Sequence, residues 1–368
     1  MRTASWSWNA AESLKWGRTP NCLPGAATTP ACTGCNSEIA GMPADAPVPW
    51  GRRGWLSALL WPAAGLFATA ATMRRTAYRK GWVRSFSVDA PVVIVGNISV
   101  GGTGKTPITG WLAQSLANAG RRPAIVSRGY GGRRQSLPMR VTPHSDPGEV
   151  GDEPVMLAKQ AECPVWVCID RAGAARRAVA EGAEIVLSDD GLQHYRMARD
   201  FEICVVDGDR GLGNGRLLPA GPLRESSRRL REVDEVLVQG MESEFPGLKF
   251  ELRIDRAVRL DGAGERPLAE FAGRRVLALA GVGFPQRFHA ALGAYGLEVE
   301  PVRAPDHGRV SLESLLKRGL PVIMTAKDAV KYPDPGGGDL WWTPAMVYMP
   351  ESSRERILHR VLALLDKN

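Results

Sequence analysis

The run Val92-Val93-Ile94-Val95-Gly96-Asn97-Ile98-Ser99-Val100-Gly101-Gly102-Thr103-Gly104-Lys105-Thr106 joins an apolar, β-branched segment to a glycine-rich loop. Its first four residues have the character of a fully buried parallel strand. Gly101, Gly102 and Gly104 permit a backbone whose amides converge on phosphate oxygens. Lys105 brings a point charge for β- and γ-phosphates, and Thr106 a hydroxyl for Mg²⁺. Beyond Pro107, Ile108 to Ala117 is apolar at helical spacing, which predicts a helix with its N-terminal dipole toward the phosphates. One position departs from the usual G-x-x-x-x-G-K-[ST] pattern: Ser99 stands where the first glycine is expected. Ser99, Val100, Gly101, Gly102, Thr103, Gly104, Lys105 and Thr106 are the candidate cradle for a nucleoside triphosphate.

Further along, Asp189-Asp190 closes an apolar segment, where a carboxylate can reach Mg²⁺ directly or through water. A strand-end aspartate is also an ordinary turn residue; two together before Gly191 favour the metal. Asp152, in Gly151-Asp152-Glu153-Pro154, can cap the helix that follows. His307 lies in the polar turn Pro305-Asp306-His307-Gly308, and His194 follows Gln193. Residue types alone do not choose the catalytic base among these. His144 and His359 are incidental. Cys32-Thr33-Gly34-Cys35 has no second pair to complete a zinc site, and Cys163, Cys168 and Cys204 sit in apolar contexts typical of core thiols.

The elements that would carry these residues alternate in type. Short apolar runs ending in acidic residues (Val165–Asp170, Glu184–Asp190, Glu202–Asp207) follow Pro123–Ser127 and are separated by helical stretches such as Ala172–Glu181. That alternation predicts an α/β fold, a P-loop NTPase-like doubly wound parallel sheet with ligands at the carboxyl ends of its strands. Val236–Val238 and Phe250–Ile254 read as connecting strands. A smaller α/β domain starts at Arg275–Gly281 and ends in a helix over Glu355–Leu365. The expected division is 1–48, a disordered extension with Met42 as an alternative start; 49–90, an N-terminal helix; 91–235, the P-loop domain; 236–274, linker strands; and 275–368, the smaller domain. Residues 1–48 lack the basic start, apolar core and cleavage site of a secretory signal.

Trp55 to Met73 carries no charge, with Arg52 and Arg53 before it and Arg74, Arg75, Arg79 and Lys80 after it. Alanine, threonine and Pro62 dilute the run below what a spanning helix needs, roughly 20 strongly apolar residues. It reads as a helix lying in a membrane interface, tryptophans at headgroup level. Lys and Arg number 47 against 39 Asp and Glu, a net charge of +8 that suits an acidic or phosphorylated partner. Arginine is spread along the chain and no zinc-finger or RNA-binding signature occurs, which argues against nucleic acid.

Taken in order, these motifs resemble the tetraacyldisaccharide 4'-kinase family of lipid A biosynthesis. The matching pieces are Gly96-Asn97 with Val100 to Pro107, Ser127-Arg128-Gly129-Tyr130-Gly131, Gly151-Asp152-Glu153-Pro154, Asp189 to His194 and Leu218 to Glu225. Ala280-Gly281-Val282-Gly283 with Arg287-Phe288, Pro305-Asp306-His307 and Thr325 with Lys327-Asp328-Ala329 continue the match. Ala326 and Ser226 depart from the family pattern, where Glu and Pro are usual. The resemblance implies transfer of the γ-phosphate of ATP, with Mg²⁺, to the 4'-hydroxyl of an acylated glucosamine disaccharide 1-phosphate at the cytoplasmic face of the bacterial inner membrane, with no obligate protein partner. It implies Asp152 and His307 as a catalytic pair, and Thr106, Asp189, Asp190 and Glu225 around the metal. It also implies a short two-stranded linker between the domains. The rival reading from the residues is a P-loop switch or metal-insertion ATPase that gates a protein partner.

Overall fold

The computed structural model describes residues 54–133, 135–304, 308–334 and 336–367. His307, Cys22, Cys32, Cys35 and the proposed extension 1–48 lie outside the described residues.

The strands are β1 (Val92–Gly96), β2 (Pro123–Ser127), β3 (Met139–Val141), β4 (Val165–Val167), β5 (Ile185–Asp189), β6 (Phe201–Asp207), β7 (Glu235–Gln239), β8 (Leu248–Arg253), β9 (Arg256–Arg259), β10 (Glu265–Pro267), β11 (Arg275–Ala280), β12 (Glu298–Arg303), β13 (Val322–Thr325), β14 (Leu340–Thr343) and β15 (Met346–Tyr348). Nine form one sheet in the order β15-β8-β7-β6-β1-β5-β2-β4-β3. All pairs in it are parallel except the two outermost, β15 with β8 and β3 with β4. From β1 the chain moves outward to β2 and β4, returns to β5, then leaves past β1 to β6, β7 and β8. The direction therefore reverses at β1, the position where a doubly wound sheet opens a crevice for ligand. Every residue of β1, β2, β5 and β6 is buried, as strands covered on both faces must be.

Six strands form a second sheet, β10-β9-β14-β13-β11-β12. Its faces are closed by Phe271, Phe288, Leu292 and Trp341 on one side and Leu315, Met324 and Ala329 on the other. The chain passes between the sheets twice, after Arg253 and after Thr343, and β8 and β15 pair side by side at that crossing. Two segments lie elsewhere than the sequence division put them. Val236–Val238 is an interior parallel strand of the large sheet, paired with β6, because its apolar residues are needed between β6 and β8. Helix Glu351–Leu362 returns to the large sheet, burying Ile357 and Val361 in its core, and Arg356 and Arg360 pair with buried Glu235.

The N-terminal run forms two helices, Trp55–Leu59 and Trp61–Arg79. Pro62 cannot donate a backbone hydrogen bond to the preceding turn, so the first helix ends at Leu59 with Leu60 as its C-cap. The second continues past Met73 to Arg79. Among the described residues no helix is long and apolar enough to cross a membrane.

Candidate active site

β1 ends at Gly96, where a β-carbon would lie 2.8 Å from Leu192 Cγ, so no side chain fits between strand and neighbouring loop. The glycine-rich loop is braced from within: the Asn97 amide donates to Thr103 Oγ1 at 3.1 Å. Ser99 bridges to Leu223, and the Val100 amide donates to the Pro222 carbonyl. The Val100 N–H is thereby engaged, and the amides at the helix start are the ones left for a phosphate. Gly104 is the N-cap of helix Lys105–Asn118 in the left-handed conformation (φ 83), with no side-chain cap. A capped helix would spend those donors internally; here they face outward in the arrangement that binds anions.

Beneath the loop, Thr106 Oγ1 donates to Asp189 Oδ2 at 3.1 Å and Thr109 Oγ1 to Asp189 Oδ1 at 3.0 Å. The Lys105 ammonium lies 3.7 Å from Asp190 Oδ1. Asp190 adopts φ 47, a conformation that costs a non-glycine residue about 1–3 kcal/mol and clusters at functional sites. Arg171 donates to the Asp190 carbonyl at 2.8 Å, and Arg224 reaches its carboxylate at 3.2 Å. Burial pushes Asp190 up, but Lys105, Arg224 and Arg171 outweigh it and hold the carboxylate below its usual range. Asp189 goes the other way. Burial first, then the charges of Glu153 and Asp190, raise it to about 7.

Such crowding of negative charge beside a P-loop hydroxyl is what a divalent cation relieves. Among the described residues no three His, Cys, Asp or Glu side chains form a metal cage. Mg²⁺ takes one or two carboxylates plus substrate phosphates rather than an all-protein shell. Thr106 and Asp189, with Asp190 beside them, suit it. Glu225 is buried and already engaged: Gln193 donates to Oε1 at 2.7 Å, and the Tyr195 hydroxyl and Arg229 lie at Oε2. Glu225 holds Gln193, which also donates to the Asn97 carbonyl under the loop.

The Asp189 shift has a thermodynamic consequence. The folded protein holds this proton more tightly than the unfolded chain, so its contribution to stability is present below pH 4 and lost as pH rises through about 7. Asp189→Asn is expected to raise the melting temperature of the metal-free protein by several degrees above pH 7, and to abolish stabilisation by Mg²⁺. Melting curves across pH, with and without Mg²⁺, check both; a parent-like Mg²⁺ response would remove Asp189 from the metal site.

Asp152 is buried at the first position of helix Asp152–Gln160, whose N-cap is Gly151 and not Asp152 itself. Gly151 (φ 91) packs backbone against backbone: a β-carbon there would sit 2.5 Å from the Tyr130 carbonyl. The Ser127–Gly131 motif is thus the bed on which Asp152 is set. Glu153, next to it, is near enough to Asp189 to shift its titration, so this helix start lies beside Asp189. His194 is driven down to about 4, by burial and then by Arg171 and Arg199. Its backbone carbonyl accepts from Arg199. Cys168 and Cys204 are buried free thiols, and Cys163 is half-buried.

Sequence reasoning passed over Arg171, Arg224 and Glu153 as individual site residues. Arg171 carried no signal among so many arginines, whereas the other two lay inside motifs already quoted.

A sequence profile described as tetraacyldisaccharide-1-P 4'-kinase matches residues 56–363. The tetraacyldisaccharide 4'-kinase of Alkalilimnicola ehrlichii is 46% identical over 318 residues, 85% of this chain and 96% of that one. The enzyme of the same name from Chromobacterium violaceum is 50% identical over 289 residues, 76% of this chain and 85% of its own. The crystal structure of LpxK from Aquifex aeolicus in complex with ATP superposes with a TM-score of 0.70 at 28% identity, covering 84% of this chain and 99% of that chain. The chain belongs to the tetraacyldisaccharide-1-P 4'-kinase family.

Proposed function

We propose the following division of labour for the family's reaction, ATP-dependent phosphorylation of a tetraacylated glucosamine disaccharide 1-phosphate at its 4'-hydroxyl. The uncapped helix start after Gly104, with Lys105 above the Thr106–Asp189 pair, is the observation that carries the reading. Those amides and the Lys105 ammonium hold the β- and γ-phosphates and balance the charge of a loose transition state. Thr106, Asp189 and Asp190 hold Mg²⁺, which neutralises the phosphate oxygens. Arg171 and Arg224 keep Asp190 ionised and fixed. Asp152 accepts the proton of the attacking 4'-hydroxyl, with His307 as its partner; a carboxylate in reach of the hydroxyl suffices once bond cleavage has advanced. The Glu225–Gln193–Asn97 chain keeps the loop from relaxing.

The N-terminal helices supply the lipid side. Trp55, Leu59, Trp61, Leu66 and Met73 are exposed there. The first helix is fastened to the body through one buried hydroxyl: Ser57 Oγ donates to the Ala220 carbonyl, while Arg216 donates to the Ser57 carbonyl at 2.8 Å. Exposed tryptophans and aliphatic side chains with Arg74, Arg75, Arg79 and Lys80 at their end fit the anionic cytoplasmic face of the inner membrane. Replacing Trp55, Trp61 and Leu66 together by Asp is expected to weaken binding to anionic vesicles at least about tenfold, since each large apolar side chain is worth roughly 1.5–3 kcal/mol when fully buried. Vesicle co-sedimentation reads this; unchanged binding would place the membrane contact elsewhere.

The test of the whole reading is incubation with γ-labelled ATP, Mg²⁺ and acylated disaccharide 1-phosphate, followed by locating the label. Label at the 4'-oxygen, with negligible hydrolysis when acceptor is withheld, is expected. Rapid hydrolysis without acceptor would favour a nucleotide switch.

A further inference from the structure

The turn after β11, Gly281–Phe284, belongs to the six-stranded sheet yet rests on the phosphate loop of the other. A β-carbon on Gly283 would be 3.5 Å from the Gly102 amide nitrogen. On Gly101 it would be 2.8 Å from Arg210 Nη1 and 3.8 Å from the Phe284 ring. The Arg210 guanidinium stacks on that ring at 4.5 Å. The turn is rigid from behind: buried Asp328 accepts from the Gly281 amide at 2.8 Å and is neutralised by buried Lys331 at 2.9 Å. It is fastened in front by Arg287, from helix Pro285–Ala294, whose Nη2 lies 2.7 Å from both Asp207 Oδ1 and Asp209 Oδ2. Its Nη1 donates to Gln239 at 3.3 Å.

Asp207 is what makes this pairing specific. It is the last residue of β6, the strand beside β1, and its side chain is 2% exposed. Besides Arg287, Asp207 Oδ1 accepts from the Asp209 and Arg210 amides at 3.1 and 3.3 Å. One buried carboxylate thus fixes the turn that aims Arg210 at the loop and the arginine that fastens the opposite sheet over it. Asp207 is the buried end of the pairing, whereas Arg287 is about a third exposed and Asp209 lies at the surface; the buried end is the one costly to leave unpaired.

We propose that Arg287 is a positioning residue, a latch whose pairing with Asp207 and Asp209 holds the Gly281–Phe284 turn over the phosphate cradle and so retains bound ATP. The proposal rests on the P-loop as the ATP site. The turn covers Gly101 and Gly102 of the cradle, and releasing the latch would uncover that edge without altering the cradle itself. The consequence is a selective one: nucleotide retention suffers, chemistry at saturating ATP does not.

The test is the release rate of a fluorescent ATP analogue, with Mg²⁺ and no acceptor, alongside steady-state kinetics. Arg287→Ala is expected to speed release and raise KM for ATP by about 5–150-fold, the usual span of coupling between two parts of a protein. The kcat at saturating ATP and KM for the acceptor should stay near parent values. Asp209→Asn, at an exposed position where folding is safe, should move in the same direction by less. Arg287→Asp combined with Asp209→Arg should recover part of the retention lost in Arg287→Asp alone. Unchanged release in Arg287→Ala and Asp209→Asn would overturn the latch, as would a fall in melting temperature with both KM values intact. Failure of the parent protein to bind the analogue would instead overturn the P-loop assignment.

Discussion

Lys105→Ala is expected to cut phosphoryl transfer by roughly 10²–10³-fold, the cost of removing one preorganised charge from a site of this kind. The lysine sits at the first position of its helix with its ammonium facing Asp190 at 3.7 Å, and belongs to no apolar cluster. Alanine is at least as good a helix former, so the backbone has no reason to move. Loss of the ammonium leaves the crowded carboxylates Asp189 and Asp190 less compensated, a modest cost that Mg²⁺ offsets. Melting temperature and far-UV spectrum should therefore change little while kcat/KM collapses. Near-parent turnover would remove the nucleotide from this loop and with it the whole assignment.

The second large effect concerns Asp152 and His307. Asp152→Ala and His307→Ala should each lower kcat by roughly 10²–10⁴, the contribution of general-base help, with ATP affinity little changed. The double variant should be scarcely worse than the poorer single, because residues that act as one unit are not additive. Asp152 begins a helix seated on the Ser127–Gly131 loop of the large sheet, whereas His307 follows β12 of the small one. A paired mechanism therefore requires both sheets to contribute to one acceptor hydroxyl. Additive losses in the double variant would show that the two act separately.

How much of this could be read in the chain beforehand differs by level. The strand–loop–helix around Lys105 was legible because each residue type there has a local conformational reason: β-branched burial for the strand, glycine for the turn and good helix formers beyond it. Gly104 (φ 83) and the uncapped helix start are what those types demand. Asp189-Asp190 was legible for the same cause, a carboxylate ending a buried strand. Strand limits shifted by a residue or two, and the helix begins at Lys105 rather than Ile108, since its start is set by the left-handed Gly104 and not by apolar spacing.

Partnerships between distant residues were not legible. Nothing local distinguishes Arg171 or Arg287 from other arginines, nor Asp207 from any acidic strand end; their roles arise from which strands lie side by side. The same holds for Val236–Val238, a plausible linker in the sequence and an interior strand in the fold, and for Glu225, whose oxygens are claimed by Gln193, Tyr195 and Arg229. Local conformation, phosphate chemistry and family membership follow from short-range patterns, because backbone preference and motif spacing act over a few residues. The charge balance at Asp189, the bed beneath Asp152 and the fastening of one sheet over the other's phosphate loop depend on contacts between residues tens of positions apart, and such contacts exist only once the sheets have closed.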